Sequence, residues 1–236
     1  MPSIRIIAAA LVALCSSAQA QDWPTRPVTM VVPFAAGGAF DVMARVFAPQ
    51  LSQSLGQQVI VENVGAAAGI GSTTHLACAL LNSAAGLDIT HVPYRGGGPV
   101  MADLIAGQVH YMCSNSASAL PQITSHTLKG IALLARSRSP LLPTLATAHE
   151  QGLANFEAVT WNAFFMPKGT PAAIIKRLND ATIEAMNTPA LKDRMHELGV
   201  ALVAPERRSP EYLQTFVESE IQKWGGPIKA AGISAD

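Results

Sequence analysis

Apolar and polar positions alternate along this chain in segments that switch between the period of a strand and the period of a helix. Val28-Thr29-Met30-Val31-Val32 is a β-rich run ended by Pro33. Phe34 to Ala39 is a small-residue turn. From Asp41, Val42, Met43, Val46, Phe47, Leu51 and Leu55 recur at helical spacing until Gly56 stops them, with Pro49 expected to kink the helix. Val59-Ile60-Val61 reads as a second strand, which makes strand–turn–helix–strand a βαβ unit with parallel pairing.

Gly65 to Gly71 carries no periodicity. Ser72-Thr73-Thr74 can cap a helix running through about Asn82 and closed by Gly86. Strands are expected at Ile89–Tyr94, Val109–Cys113, Gly130–Ala135 and near Ala201–Val203, with an extended segment at Ala158–Met166. Short helices are expected before Gly107 and over Ala117–Ile123, and longer ones over about 171–187, 189–198 and 209–231. The alternation of β and α implies an open parallel sheet flanked by helices.

Residues 1–20 read as a Sec-type signal peptide: Arg5, an apolar run from Ile6 to Leu14 too short to span a bilayer, and the small-x-small site Ala18-Gln19-Ala20, with Gln21 as the expected mature N-terminus. Cys15 raises a lipoprotein alternative, which bulky Leu14 before it disfavours. The expected destination is the periplasm, where Cys78 and Cys113 can pair. Their spacing says nothing about geometry, and two small buried hydrophobes is the preferred reading.

Composition narrows the function. Hydrophobic residues make up 49% and charged residues 14%, and 16 basic residues balance 16 acidic ones. That excludes a disordered polyelectrolyte and argues against nucleic acid as a partner. There is no GxSxG elbow, HExxH or Walker loop, and the histidines at 75, 91, 110, 126, 149 and 196 include no i,i+4 pair. No enzyme, metal or cofactor is expected. Gly69-Ile70-Gly71 begins like a dinucleotide fingerprint, but Thr stands at 74 and no strand directly precedes it.

Two places suit an anion. Between Pro33 and Asp41 a strand ends, small residues expose backbone N–H groups, and a helix begins; an ordinary βα turn looks the same in sequence. Ser72-Thr73-Thr74 is a second hydroxyl-rich helix start, whose plain alternative is N-capping. Trp161 and Phe164-Phe165 can wall an apolar pocket or sit in the core.

Pro33-Phe34-Ala35-Ala36-Gly37-Gly38-x-x-Asp41, Leu55-Gly56-Gln57 and Val61-Glu62-Asn63 resemble the start of Bug-type periplasmic solute-binding proteins. These are receptors of tripartite tricarboxylate transporters. The resemblance continues in order through His91-Val92-Pro93-Tyr94-Arg95-Gly96, Gly107-Gln108-Val109, Ser118-Ala119-Leu120-Pro121, Arg138-Ser139-Pro140, Pro167-x-Gly169-Thr170-Pro171 and Trp224.

The resemblance implies an α/β, two-lobed type II periplasmic-binding-protein-like fold: lobe one at 21–71 plus 161–236, lobe two at 72–160. It implies capture of a small carboxylate for the membrane subunits of such a transporter. The implied ligand-binding residues are Phe34, Ala36, Gly37, Gly38 and Asp41 on one side, Ser72, Thr73 and Thr74 on the other, with Asn115 and Trp161 near the cleft.

The chain also departs from that pattern. Several dozen residues usually separate the Glu-Asn stretch from the Gly-Ser/Thr-x-x-His-Leu helix, yet Asn63 and His75 stand twelve positions apart. A seam near Gly71/Ser72 is expected to have removed a helix and strand of lobe one, one interlobe crossing and the opening of lobe two. The alternative to a working receptor is therefore a truncated remnant with no ligand, or with an interaction-only role.

Overall fold

The computed structural model describes residues 23–34, 36–64, 71–94 and 96–230. The signal-peptide reading and the stretch from Gly65 to Ile70, which leads into the expected seam, lie outside the described residues.

Strand β1 (Val28–Val32) and strand β2 (Val59–Asn63) pair in parallel, Val28 opposite Val59 through Val32 opposite Asn63. Helix α1 (Ala39–Leu55) connects them as the crossover. Pro49 stands inside α1, and the helix continues past it to Gly56, whose φ of 73° and N–H to the Ser52 carbonyl close the last turn. Helices α2 (Thr73–Ala85), α3 (Gly97–Ile105) and α4 (Ser116–Thr124) occupy the middle of the chain. Helices α5 (Ala172–Asn187), α6 (Pro189–Glu197) and α7 (Pro210–Ala230) complete it, with a 3₁₀ turn at Pro205–Arg207.

The main core draws on both ends of the chain. Ala48, Leu51 and Leu55 of α1 meet Ala181 and Ala185 of α5, and Leu191 and Met195 of α6, over Val59 of β2. The alanines let α1 and α5 approach closely, and Leu51, Leu191 and Met195 fill what remains. Trp23, Phe47, Phe164 and Leu202 pack around this cluster, and none of its members comes from 72–160. Phe164 meets Phe47 edge to face at 5.6 Å, whereas Phe165 is exposed.

Two expectations are corrected. The segments read as strands at Ile89–Tyr94, Val109–Cys113, Gly130–Ala135 and Ala201–Val203 are not strands, nor does the extended Ala158–Met166 join a sheet. Among the described residues the sheet has two strands, supplemented by one isolated parallel bridge, Leu133 to Thr147. A β-rich sequence becomes a strand only where a neighbour answers its N–H and C=O groups. Among the described residues these segments have no strand neighbour beyond the bridge at Leu133, and Ile89, Val92, Ile131, Val159 and Val203 are left exposed. The second correction concerns the cysteines. Cys78 on α2 and Cys113 are disulfide-bonded, with Cα atoms 5.6 Å apart. The turn at Gly107, the 109–113 segment and α2 bring together two residues that sequence spacing leaves unrelated.

Candidate functional site

The loop after β1 is built by a chain of polar contacts. Asp41, in the first turn of α1, is only 3% exposed and accepts the Gly37 N–H at 2.8 Å. Arg45, one turn later, donates its Nε–H to the same carboxylate and its Nη2–H to Asn63 Oδ1, at 3.0 Å each. Asn63, at the end of β2, donates its Nδ2–H to the Phe34 carbonyl at 3.1 Å. The loop is thus fastened at both ends, and Gly37 takes φ of 80°, a conformation glycine adopts without strain. The Arg45 hydrogen bond outweighs burial and, with the Gly37 N–H, holds the Asp41 carboxyl below its usual value.

That shift has a sign. A carboxylate acidified in the folded state contributes stability above its unfolded pKa, and the contribution is lost as pH falls through the lowered folded value. Asp41→Asn is expected to cost about 1.5 kcal/mol at neutral pH, the low end for a charged hydrogen bond because Arg45 is half exposed. The cost should shrink below the ordinary carboxylate range. Denaturant melts of both proteins across that range check it; a gap independent of pH would show that the Asp41 charge is not what fixes the loop.

At the start of α1, Gly38 is the N-cap and has no side chain to accept the first N–H groups of the helix. At the start of α2, Ser72 is the N-cap and its Oγ accepts the His75 N–H at 3.2 Å, which leaves the Thr73 and Thr74 amides without intrahelical acceptors. Both helix starts open onto one cleft of about 1270 Å³. Of the residues expected in a site, Phe34, Ala36, Gly37, Gly38, Ser72, Thr73, Thr74 and Asn115 line it. Asn115 is also the N-cap of α4, and its Oδ1 accepts the Thr160 hydroxyl at 3.0 Å.

Two expected residues lie elsewhere. Asp41 does not line the cleft; its carboxylate is turned to Gly37 and Arg45, so it shapes the loop from behind. Trp161 is taken up by the last helix. Its Nε1–H donates to Glu220 Oε2 at 3.1 Å, the same oxygen that accepts the Trp224 Nε1–H at 2.9 Å, and its ring meets Phe216 edge-on at 5.1 Å. Burial favours the protonated form of Glu220, but donors from Trp224, Lys223 and Trp161 outweigh it and lower its pKa.

Sequence reasoning missed Phe40, which stacks on Phe34 with ring centroids 4.2 Å apart, and His91, which stacks on His75 at 3.8 Å. All four rings line the cleft. Phe40 carried a signal, lying in the first turn of the helix that follows the glycine loop. The described lining residues offer an anion backbone amides, hydroxyls and imidazoles.

The family model for the tripartite tricarboxylate transporter family receptor, TctC, matches residues 64–233. The chain belongs to this family. The TctC relatives include the UPF0065 protein of the tcbD-tcbE intergenic region of Pseudomonas sp. strain P51. It is 28% identical, with 92% of this chain and 90% of that protein covered, over 306 aligned positions against the 236 residues here. Among solved structures, the periplasmic binding protein BugD superposes with a TM-score of 0.83 at 28% identity, covering 90% of this chain and 99% of BugD. MatC from Rhodopseudomonas palustris, solved with bound malate, gives 0.81 at 26% identity, covering 87% and 100%. The TctC fold seen here is therefore the α/β fold of periplasmic binding proteins, incomplete in its sheet, and the family is one of solute-binding receptors rather than enzymes.

Proposed function

We propose that the chain is an extracytoplasmic receptor that captures a small carboxylate between the N-termini of α1 and α2 for the membrane subunits of a tripartite tricarboxylate-type transporter. The observation that carries this is the convergence of two helix starts on one cleft, each with amides lacking intrahelical acceptors. A carboxylate satisfies such amides and sits favourably at the positive end of the helix dipole. The Phe34, Ala36, Gly37 and Gly38 loop holds one end of the ligand, Ser72, Thr73 and Thr74 the other, and Asn115 closes the side. Malate in MatC supports the ligand class. A core drawn only from 23–64 and 164–202 supports lobe one at 21–71 plus 161–236 and lobe two at 72–160.

Calorimetric titration of the mature chain with a panel of linear mono- and dicarboxylates, malate among them, tests the assignment. Saturable binding of at least one acid and none of its neutral amide is the expected result. Binding of neither would remove the carboxylate reading.

A second reading has its own support. The relative's alignment is longer than this chain, and the two-stranded sheet leaves several apolar extended segments uncovered. Both fit a receptor that has lost an internal segment near residue 71 and with it ligand binding, keeping at most an interaction role. Such a chain would associate through its open edges. Size-exclusion chromatography separates the readings: a sharp monomer peak that still titrates with a carboxylate excludes the remnant.

Export carries a separate prediction. Ala18-Gln19-Ala20 places the mature N-terminus at Gln21, and intact-mass measurement on a periplasmic extract is expected to find it there. Retention of 1–20, or a lipid adduct on Cys15, would reject it.

A further inference from the structure

Within the carboxylate reading, on which this inference rests, the cleft holds a pair of groups that the helix starts do not explain. His75, in the first turn of α2, accepts the Gly71 N–H on Nδ1 at 3.0 Å. A backbone amide can only donate, so Nδ1 keeps its lone pair and the ring proton sits on Nε2. Protonating Nδ1 would break the Gly71 contact. Desolvation, and then the charge of His91, push the His75 pKa down, in keeping with a neutral ring. His91, on the exposed segment after α2, stacks on this ring at a centroid distance of 3.8 Å and an angle of 26°.

We propose that His75 and His91 form a proton-linked anion subsite of the cleft, in which neutral His75 donates Nε2–H to the carboxylate and His91 takes up one proton from solvent as the ligand is captured. No bond in the ligand changes; the step adds a proton to a ring nitrogen of His91 and nothing else. Three observations converge on it. Both rings line the cleft, the tautomer of one is fixed by the backbone, and the other is open to solvent.

The surrounding groups leave room for that charge. Helix α2 carries no other titratable side chain besides disulfide-bonded Cys78. Among the described residues the same cleft is lined by Asp88 and His110, by Tyr94, whose hydroxyl donates to Asp103 at 2.7 Å, and by Tyr111, whose hydroxyl donates to Asn82 at 2.6 Å. Two stacked imidazoles resist carrying two charges, so capture adds at most one proton to the pair. An anion beside it favours that proton, and by linkage the proton favours the anion. Affinity must therefore rise as pH falls through the histidine range.

The test uses malate, or the member of the carboxylate panel that binds more tightly. Titrations at about pH 6 and about pH 8 bracket the ordinary histidine value of roughly 6.5, and the ligand's own carboxyl protonation at the lower pH, measured in a separate acid–base titration, is subtracted. Wild type is expected to bind roughly tenfold more tightly at the lower pH, as for one charge-assisted contact. Titration in buffers of different ionisation enthalpy should show uptake of up to one proton. His91→Gln should lose the pH dependence and the proton uptake; this residue is exposed, so the fold should tolerate the change. His75→Gln should weaken binding at both pH values. Ring-nitrogen NMR of the free protein supplies a readout that needs no ligand, with Nδ1 of His75 unprotonated and Nε2 protonated. An Nδ1–H tautomer, or equal affinity at the two pH values, overturns the histidine subsite alone. No binding at either pH overturns the carboxylate reading and this inference with it.

Discussion

Removing the Cys78–Cys113 bond is expected to lower the stability of the protein by roughly 3–4 kcal/mol, from the loop-closure entropy of a 35-residue separation. In a chain of this size that corresponds to a fall in melting temperature of roughly 10 °C. The reason for so large a share lies in the core. The main cluster excludes 72–160, and among the described residues of that stretch only Ala77, Gly96, Thr147, Ala148 and Ala158 are buried. With little apolar burial to fix the middle of the chain, a covalent link between α2 and residue 113 restricts the unfolded ensemble where packing does least. Thermal melts with and without reductant, and of a Cys78→Ala/Cys113→Ala protein, measure the effect. An unchanged midpoint would mean that the segment from α2 to 113 is held by packing alone. Because both cysteines line the cleft, carboxylate affinity should fall with the bond.

The second large effect is expected at Gly38. It is the N-cap of α1, with φ of −76° and ψ of 168°, a conformation open to any residue, so the backbone tolerates a side chain there. On the proposed function, what a side chain obstructs is the approach of the carboxylate to the first amides of the helix. Gly38→Leu should remove at least one charge-assisted hydrogen bond, costing roughly 1.5–3 kcal/mol, about tenfold to a hundredfold in affinity. The melting temperature should hardly move. Replacing Gly37 makes the useful contrast: at φ of 80° any side chain strains the turn by about 1–2 kcal/mol even though open space surrounds it. Titrations of wild type and Gly38→Leu with an acid and its amide separate the effects. Equal affinities in all four combinations would reduce the loop to a turn.

Local chemistry made much of this molecule readable in advance. The strand–glycine–helix–strand order of Val28 to Val61 emerged as a parallel βαβ unit because each of its signals acts within a few residues: period two, then period 3.6, then a left-handed glycine at 56. The same holds for the Ser72 cap and Gly86 stop of α2, and for the C-terminal helices. The motif order from Phe34 to Trp224 carried the receptor family, because it samples loops across most of the chain.

What depends on contacts distant in sequence was decided by tertiary structure. Ile89–Tyr94 and Gly130–Ala135 have strand composition, but a strand needs a neighbour, and pairing partners are not written into the segment itself. Asp41 read as a cleft residue from its place at a helix start, yet Arg45 and the Gly37 amide turn its carboxylate inward. Trp161 read as a cleft aromatic, yet Glu220, 59 positions later, claims its indole N–H. The Cys78–Cys113 bond and the His75–His91 stack likewise join residues that only the folded chain brings within reach. Periodicity and turn chemistry are short-range and lie in the sequence; sheet partners, buried charge pairs and ring contacts depend on where the whole chain goes, so they belong to the fold.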